Sequence, residues 1–383
     1  MNNYLPLEGL TVVDFSQFLA GPYASLKLAD MGARVIKIEK PGMGDLSRTL
    51  YLSDTDIEGV NTLFHAINRN KLSFAADLKS PEDLAKVKKL VSQADVVIQN
   101  FRPGVIERLG LDYDTVKAIK PDIIYASVTG YGLADVWSKL PGQDLLAQAK
   151  SGIMWLSGDQ DAPPTPMGLA IADILTGQNA LQGILAGLIG KNRKGLSYHV
   201  EASLMESVLD FQFEVLTTYL NDGNRKPQRS KVNNAHAYLS APYGVYETQD
   251  GYVAIAMTPI TKLGELLDNP ELVKFTDSQE CFTKRDEIKT ILAKQIKTQP
   301  SSYWMEIFVK ADIWASDVFN WQQLLKSEGF KQLDFFQSLT LQSGESIQTT
   351  RFPVRINGQV LKSQIPAPLV GEHNEKLTQE FDL

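Results

Sequence analysis

Strand-like and helix-like stretches alternate along the first half of this 383-residue chain, and this alternation restricts the folds open to it. Runs rich in apolar and β-branched residues predict four strands, at residues 10–16, 33–39, 95–100 and 122–130. Strands separated by helices predict βαβ units and a mainly parallel sheet covered on both faces, an α/β fold. Because ligands of such sheets bind at the carboxyl ends of the strands, functional residues are expected there.

Helix ends are marked by local side-chain chemistry. Ser80 is a good N-cap, Pro81 suits the first helical position, and Asp83 completes a capping-box pattern. Gly32 is placed to end an earlier helix. The sequence therefore predicts helices between the first and second strands and between the second and third.

The pattern changes in the second half of the chain. A polar, basic stretch at residues 221–235 predicts a linker. Two short strand-like runs flank an Asp250-Gly251 turn, which predicts a hairpin. Helical stretches follow at residues 284–297 and 301–310. We therefore expect a second, smaller α+β domain after the linker.

Composition excludes several classes of protein. The net charge of -7 argues against wholesale binding to nucleic acid or to an anionic membrane surface. The single cysteine, Cys281, excludes an intramolecular disulfide, so a reducing, cytoplasmic setting is expected. The start, MNNYLPLEGL, lacks the basic and apolar regions of a signal peptide. Polar side chains interrupt the longest apolar stretch, so no membrane span is expected.

Several familiar kinds of site are not supported. The first βαβ turn lacks the spaced glycines of a dinucleotide fingerprint, although Glu39 ends the second strand as an acidic ribose ligand would. No G-x-S-x-G elbow is present. The histidines lack metal-ligand spacing, so no metal site is expected; they are His65, His199, His236 and His373.

Basic residues cluster near the predicted strand ends, where they could bind phosphate through charge-assisted hydrogen bonds. The clusters are Lys37, Lys40 and Arg48, then Arg69 and Lys71, then Arg102 and Arg108. A solvated surface charge explains any single one of these residues better, whereas three clusters near the ligand-binding edge of one sheet favour phosphate binding.

Asp173 is the one formal charge in the stretch PMGLAIADILTGQNALQGILAGLIG, at the start of a long apolar helix. One interpretation is structural, since carboxylates favour the first turn of a helix. The other is a nucleophile that attacks an acyl group to form an anhydride. In that case we expect the helix N-terminus to keep the carboxylate ionised.

Motifs over nearly the whole chain resemble the family III CoA-transferases, also called the CaiB/BaiF family. The motifs include LEGLTVVDFSQFLAGPYASLKLADMGARVIKIEKPGMGD, NRNKLSFAADLKSPED, ADVVIQNFRPGVIERLGLDYDTVKAIKPDIIYASVTGYG, GQDLLAQAKSGIMWLSG, IADILTG and PAPLVGEHNEKL. The resemblance implies a homodimer of interlocked, ring-like subunits, each with a Rossmann-like large domain built from both chain ends. We therefore expect a large domain at residues 1–220, a linker at 221–235, a small domain at 236–340 and a returning segment at 341–383.

The resemblance also implies an activity: transfer of coenzyme A from an acyl-CoA donor to a carboxylate acceptor, with no tightly bound cofactor. Asp173 matches the family's nucleophile, which forms aspartyl anhydride and aspartyl–CoA thioester intermediates. Asp144 matches an acidic residue near the nucleophile and is given a supporting role. The segments that match the CoA-lining parts of the family contribute Lys40, Lys71, Asn100, Phe101 and Arg108.

Two departures from the resembled family affect the substrate and the reaction. Leu19 replaces the glutamine of formyl-CoA transferases, which puts the oxalate and formyl pair in doubt. Gln143 replaces the histidine that related racemases use for proton transfer, and an amide cannot serve as that general base. A CoA-thioester isomerase, racemase or lyase on the same scaffold stays the alternative.

Overall fold

A computed structural model describes residues 5–50, 55–132 and 135–383. Residues 1–4, part of the start at which no leader is expected, lie outside this range. The strands are β1 (Thr11–Asp14), β2 (Arg34–Glu39), β3 (Asp56–Ile57), β4 (Val60–Asn61), β5 (Lys71–Ala75), β6 (Val96–Gln99), β7 (Ile124–Thr129), β8 (Tyr198–Ser203), β9 (Gly244–Glu247), β10 (Tyr252–Ile255), β11 (Ala315–Asp317), β12 (Phe336–Thr340), β13 (Ser346–Thr350), β14 (Arg355–Ile356) and β15 (Gln359–Val360).

Helices occupy most of the remaining regular structure, together with short 3-10 turns at Leu46–Thr49 and Ile153–Trp155. The α-helices are α1 (Ala20–Asp30), α2 (Thr62–Asn68), α3 (Pro81–Val91), α4 (Val105–Arg108), α5 (Tyr113–Ile119), α6 (Asp135–Ser138), α7 (Asp144–Ser151), α8 (Ile171–Lys194), α9 (Leu204–Phe211), α10 (Phe213–Asn221), α11 (Ile260–Leu266), α12 (Ser278–Thr283), α13 (Arg285–Ile296), α14 (Ser301–Lys310), α15 (Trp321–Lys326), α16 (Glu328–Leu333) and α17 (Asn374–Phe381).

A six-stranded parallel sheet lies at the centre of the fold, in the order β5-β2-β1-β6-β7-β8. The four strands predicted in the first half of the chain are β1, β2, β6 and β7, and the mixed α/β fold is confirmed. The order reverses direction between β1 and β6, which lie side by side. In open α/β sheets, ligands bind at such a switch point, outside the carboxyl ends of the strands.

Both faces of this sheet are covered by helices, because successive strand residues point to opposite faces. On one face, Val13 belongs to a core with Leu90 of α3 and Leu377 of α17. On the other face, Val12 belongs to a core with Leu28 of α1 and Ile184 of α8. Because α1 connects β1 to the parallel strand β2, and α8 leads directly into the parallel strand β8, both helices begin at the carboxyl ends of the strands.

The chain divides into two compact units. The larger unit contains Met1–Lys150, Ala170–Phe211 and Asp334–Leu383, and the smaller unit contains Ser151–Leu169 and Gln212–Leu333. These units differ from the predicted domains in two ways. Residues 151–169 belong to the smaller unit and not to the large domain predicted at residues 1–220, and the second stretch of the smaller unit begins at Gln212, before the predicted linker. The predicted domain limits themselves stay a prediction.

The smaller unit has its own three-stranded sheet, in the order β11-β10-β9. The predicted hairpin is present, with β9 and β10 antiparallel around the Asp250-Gly251 turn. The stretch predicted as a linker is irregular but anchored: Arg229 is buried and donates to the carbonyl oxygens of Ser157, Gln160 and Ala162.

The C-terminal segment completes the edge of the central sheet in the larger unit. The side-chain amide of Asn374 accepts from the N–H of Ala75 at 2.8 Å and donates to the carbonyl of Ala75 at 2.9 Å. The backbone N–H of His373 donates to the carbonyl oxygen of Ser73. Strand β5 is therefore covered along its outer edge at these residues.

Two of the predicted helix boundaries can be compared with the structure. Ser80 caps α3 by accepting from the N–H of Asp83, and Gly32 ends α1 with a φ of 104°, as predicted. The predicted capping box is wrong, because the Asp83 carboxylate accepts instead from the N–H of Asp77. None of the described helices is both long and apolar enough to cross a membrane.

Candidate active site

The start of α8 is held by a carboxylate from another helix. Asp144, the first residue of α7, accepts from the N–H of Ala172 at 2.6 Å and from the N–H of Asp173 at 3.2 Å. The other Asp144 oxygen accepts from the side-chain amide of Gln148 at 2.6 Å. The capping function that one interpretation gave to Asp173 is therefore performed by Asp144.

Asp173 lies in the first turn of α8 and is half-buried. Within the part of the chain that the structure describes, its carboxylate has no hydrogen-bond or ion-pair partner. Burial, and then the nearby Asp144 carboxylate, raise the pKa of Asp173 to about 7. Two N–H groups in the first turn of α8 donate to Asp144, and no described hydrogen bond joins the helix N-terminus to the Asp173 carboxylate. That the helix N-terminus keeps this carboxylate ionised stays a prediction.

The first turns of α8 lie at the carboxyl edge of the sheet. The Thr176 hydroxyl is 3.4 Å from the carbonyl oxygen of Ser203, the last residue of β8. At Gly177, a side-chain carbon would stand only 2.7 Å from the carbonyl oxygen of Ala20, the first residue of α1. Asp173 is thus placed at the edge where the sequence predicts ligand binding.

Four residues of the predicted basic clusters are buried in ion pairs. Their ammonium and guanidinium groups therefore have a structural role. The pairs are Lys37 with Asp45 at 2.7 Å, Arg48 with Glu39 at 2.8 Å, Arg69 with Asp30 at 2.9 Å, and Lys71 with Asp14 at 3.3 Å. The sequence could not reveal these pairs, because each partner lies in a different element of the chain.

Two residues singled out from the sequence take structural roles in this network. The Lys71 side chain is fully buried and also donates to the carbonyl of Pro22 and the amide oxygen of Asn68. Its ammonium group therefore cannot contact coenzyme A directly in this conformation. Burial favours a raised pKa for Glu39, but Arg48 outweighs it and the pKa is lowered. Glu39 is therefore an ion-pair partner and not an exposed ribose ligand.

The remaining predicted CoA contacts lie along the exits of β2 and β6. Lys40 directly follows β2 and is exposed, and Arg108 is exposed at the end of α4. Asn100 directly follows β6, and its side chain exchanges two hydrogen bonds with the backbone of Gln17, at 2.9 and 2.7 Å. Phe101 is partly buried against the apolar core on that face of the sheet.

The backbone conformation of the loop between β1 and α1, residues 15–19, could not be predicted from the sequence. Phe18 in this loop adopts a left-handed backbone conformation with a φ of 64°. Its N–H donates to the carboxylate of Asp45. One signal in the sequence pointed to this loop. Asp14 ends β1 and Asn100 directly follows β6, so two polar side chains stand at the ends of strands that turn out to be adjacent.

No group of three or more His, Cys, Asp or Glu side chains suited to a metal ion occurs among residues 5–50, 55–132 and 135–383. The site instead offers one partly buried carboxylate without a protein partner, set beside a second carboxylate that is fully engaged. A carboxyl group in such an environment is typical of functional sites.

Comparison of the chain with known proteins identifies its family. The family model described as CoA-transferase family III matches residues 7–374. The chain is 32% identical to succinate–glutarate CoA-transferase of Agrobacterium fabrum, over 100% of this chain and 97% of that protein. It is 32% identical to acetyl-CoA:oxalate CoA-transferase of Acetobacter aceti, over 98% of this chain and 96% of that protein.

A solved structure supports the same assignment. A CaiB/BaiF family protein from Brucella suis superimposes with a TM-score of 0.86 at 32% identity, covering 99% of this chain and 100% of that chain. The resemblance inferred from the sequence motifs is confirmed by the family model and by the relatives together. The chain belongs to family III of the CoA-transferases.

Proposed function

We propose that this enzyme transfers coenzyme A between carboxylic acids through covalent intermediates on Asp173. The carboxylate of Asp173 attacks the thioester carbonyl of the donor, the carbon–sulfur bond breaks, and CoA leaves as a thiolate. The thiolate then attacks the aspartyl carbonyl, which releases the donor acid and leaves an aspartyl–CoA thioester. Covalent catalysis of this kind divides one difficult transfer into easier steps.

The second half of the reaction repeats these steps in reverse order. The acceptor carboxylate attacks the aspartyl thioester, expels the CoA thiolate and forms a second anhydride. The thiolate attacks the acceptor-derived carbonyl, which releases the new acyl-CoA and restores the Asp173 carboxylate. No proton is gained or lost over the cycle, so the reaction needs no general acid or base beyond an ionised Asp173.

The observation that carries this proposal is the environment of Asp173. Its carboxylate has no protein partner within the described residues, it is partly withdrawn from water, and its pKa is raised to about 7. A carboxylate without hydrogen-bond donors is a better nucleophile than one that donors stabilise, and it still ionises near neutral pH. Two carboxyl groups in different environments commonly take different roles.

Asp144 is proposed as the positioning residue of the site. Because it accepts from the N–H groups of Ala172 and Asp173, it fixes the first turn of α8 and hence the Asp173 side chain. These two N–H groups are consequently not the donors for an oxyanion, and the oxyanions of the reaction need donors from another segment.

For coenzyme A, we propose Lys40 and Arg108 as contacts to its phosphates, with Phe101 and the Asn100 segment lining the path between them. Both cations are exposed at the carboxyl edge of the sheet, and neither takes part in the buried ion pairs described above. The strand order reverses between β1 and β6, which supports the Rossmann-like character expected of the larger unit.

The remaining expectations extend the family resemblance to this chain. We propose a homodimer of interlocked subunits in the cytoplasm, with an acyl-CoA donor and a carboxylate acceptor as its substrates. The two relatives named above carry succinate, glutarate and oxalate in their names, and we propose short dicarboxylates as the acceptor class here.

The test of the reaction uses Asp173→Ala and Asp173→Asn beside the wild type. With an acyl-CoA donor, the wild type should carry a covalent CoA adduct on intact-protein mass spectrometry, and hydroxylamine should place it at Asp173. Both variants should lose transfer activity by at least about a thousandfold and still bind CoA. Asp210→Asn, which changes an exposed carboxylate of α9, is the matched control and should keep full activity.

Two results would contradict the proposal. Full activity in Asp173→Ala would remove the nucleophile from the mechanism. Deuterium exchange at the α-carbon of the acyl group, without any carboxylate acceptor and without an adduct, would favour the isomerase or racemase alternative instead.

A further inference from the structure

The loop between β1 and α1, residues 15–19, is held by side chains from three neighbouring segments. Lys37 donates to the carbonyl of Ser16 at 2.7 Å, and Asn100 exchanges two hydrogen bonds with the backbone of Gln17. The N–H of Phe18 donates to Asp45 at 3.2 Å. Three consecutive residues are thus fixed by buried or partly buried polar groups, so the loop has one well-defined conformation.

Phe18 is costly for folding in this position. Its φ of 64° lies in the left-handed region, where the side chain of a non-glycine residue comes too close to its own backbone. Its side chain is 44% exposed, so the ring recovers little of that cost by burial. A strained residue that the surrounding structure over-determines, and whose ring stays open to solvent, points to a function outside folding.

The loop also lies at the switch point of the sheet. It leaves β1, is tied to the exit of β6 through Asn100, and leads into α1. Ligands of open parallel sheets bind in the crevice at this point. Phe18 therefore lies at the edge of the sheet where the substrate is expected, with its ring partly exposed.

Asp173 is within reach of the same place. Gly177 touches the first residue of α1, Ala20, and Asp173 lies one helical turn before Gly177. Phe18 lies two residues before Ala20. With about 1.5 Å per helical residue and at most about 3.6 Å per extended residue, these steps set an upper limit of roughly 20 Å on the distance between the Cα atoms of Phe18 and Asp173. The Phe18 ring, the Asp173 side chain and a short acyl chain between them extend over a distance of the same order.

We propose that Phe18 is a specificity-determining residue whose ring contacts the carbon chain of the acid bound at Asp173. The inference rests on the proposed function, since it needs Asp173 to carry the acyl group. Contact with methylene groups favours chains of a limited length, because each contacted methylene adds binding free energy and an overlong chain meets the ring. The hydrogen bonds of the loop fix the backbone from which the ring projects.

The experiment compares Phe18→Asn and Phe18→Tyr with the wild type. Asparagine tolerates the left-handed conformation, so Phe18→Asn removes the ring while the loop keeps its backbone. Phe18→Tyr retains the ring. Leu196→Asn, which changes an exposed apolar residue before β8 at the opposite edge of the sheet, is the matched control. Transfer from succinyl-CoA is measured with oxalate, malonate, glutarate and adipate as acceptors.

In Phe18→Asn, we expect the ratio of kcat/KM between the best and the worst acceptor to change by about tenfold or more. Phe18→Tyr and Leu196→Asn should keep the wild-type ratios. Unchanged ratios in Phe18→Asn, or equal changes in Leu196→Asn, would overturn the proposal. The CoA adduct at Asp173 is measured in every variant, and its presence shows that a negative result concerns Phe18 and not the nucleophile.

Discussion

At the scale of single residues, Asp144 and Asp173 show how neighbouring carboxylates acquire different properties. Asp144 accepts three hydrogen bonds, two of them from N–H groups in the first turn of α8. Asp173 accepts none within the described residues, and burial and then the nearby Asp144 carboxylate raise its pKa to about 7. Removing the charge of Asp144 should therefore act on the titration of Asp173.

The pH dependence of the reaction gives the first prediction at this scale. The wild-type kcat/KM should rise with pH through about 7, because only ionised Asp173 attacks the thioester and kcat/KM reports the free enzyme. Asp144→Asn keeps the shape of the side chain and removes the like charge, which lowers the pKa of Asp173. The rise should then occur at lower pH in a profile recorded from pH 5 to pH 9.

The control for this profile is Asp210→Asn, which should leave the midpoint unchanged. A midpoint that moves to higher pH in Asp144→Asn would show that the hydrogen bonds of Asp144, and not its charge, dominate the effect on Asp173.

At the scale of elements, the close approach of α1 and α8 positions the site. Gly177 permits this approach, since a side-chain carbon there would lie 2.7 Å from the carbonyl oxygen of Ala20 and 3.0 Å from the ring of Tyr23. The backbone oxygen cannot move aside without moving the start of α1. The two helix starts, which carry the loop with Phe18 and the Asp173 turn, are therefore fixed relative to each other.

Gly177→Ala should separate these helix starts and cost about 1–3 kcal/mol of folding stability. We also expect kcat to fall more than the stability loss explains, because Asp173 moves with α8. Chemical denaturation and steady-state kinetics measure the two effects. Gly329→Ala in α16, where an added carbon meets nothing within 4 Å, is the control and should be neutral or slightly stabilising. Equal behaviour of the two variants would contradict this account.

The central strands could be predicted from the sequence because each contains a run of apolar or β-branched residues, such as Val12–Val13, Val35–Ile36 and Val96–Ile98. Strand β5 was not predicted as a strand, since Lys71 and Ser73 interrupt its apolar pattern, and both are buried in polar contacts. The same contacts bury the Lys71 ammonium group, so the assignment of Lys71 to coenzyme A stays a prediction to which this conformation gives no support. A lysine near a strand end looks the same in sequence whether it faces solvent or Asp14.

The site was predictable in part for a related reason. Asp173 stood out as a lone charge before an apolar helix, and the motif resemblance supplied its role. Its coupling to Asp144 spans 29 positions and follows no local periodicity, so the residues alone could not show that Asp144 caps α8. The left-handed backbone of Phe18 could likewise not be predicted from the sequence, because the loop is held by Lys37, Asp45 and Asn100, which lie in other elements.

At the scale of the whole molecule, the larger unit is assembled from three separate stretches of the chain. The last of them supplies Leu377 and Phe381 to one core and covers the edge of β5 through His373 and Asn374. The sheet that carries the active site therefore depends on residues about 300 positions away from the strand they cover.

Asn374→Ala should show this dependence. It removes both hydrogen bonds to Ala75 and leaves that edge without partners for its N–H and carbonyl, at a cost of about 1–3 kcal/mol. Urea denaturation measures the loss, and hydrogen exchange at Ala75 should accelerate. Glu375→Ala, an exposed neighbour in α17, is the control and should change stability by less than about 0.5 kcal/mol. A loss of the same size in both variants would contradict the edge role of Asn374.

The covering of the β5 edge by the C-terminal segment also affects the nascent chain during synthesis. During synthesis, residues 71–75 leave the ribosome long before residues 373–381, so the N–H and carbonyl groups on the outer edge of β5, the edge that does not pair with β2, stay without their protein partners during this time. An open strand edge is a template for pairing with other chains, and contacts between distant parts of a chain form slowly. Nascent chains of this enzyme should therefore be most prone to aggregation between the emergence of β5 and that of α17, a window of some 300 residues of translation.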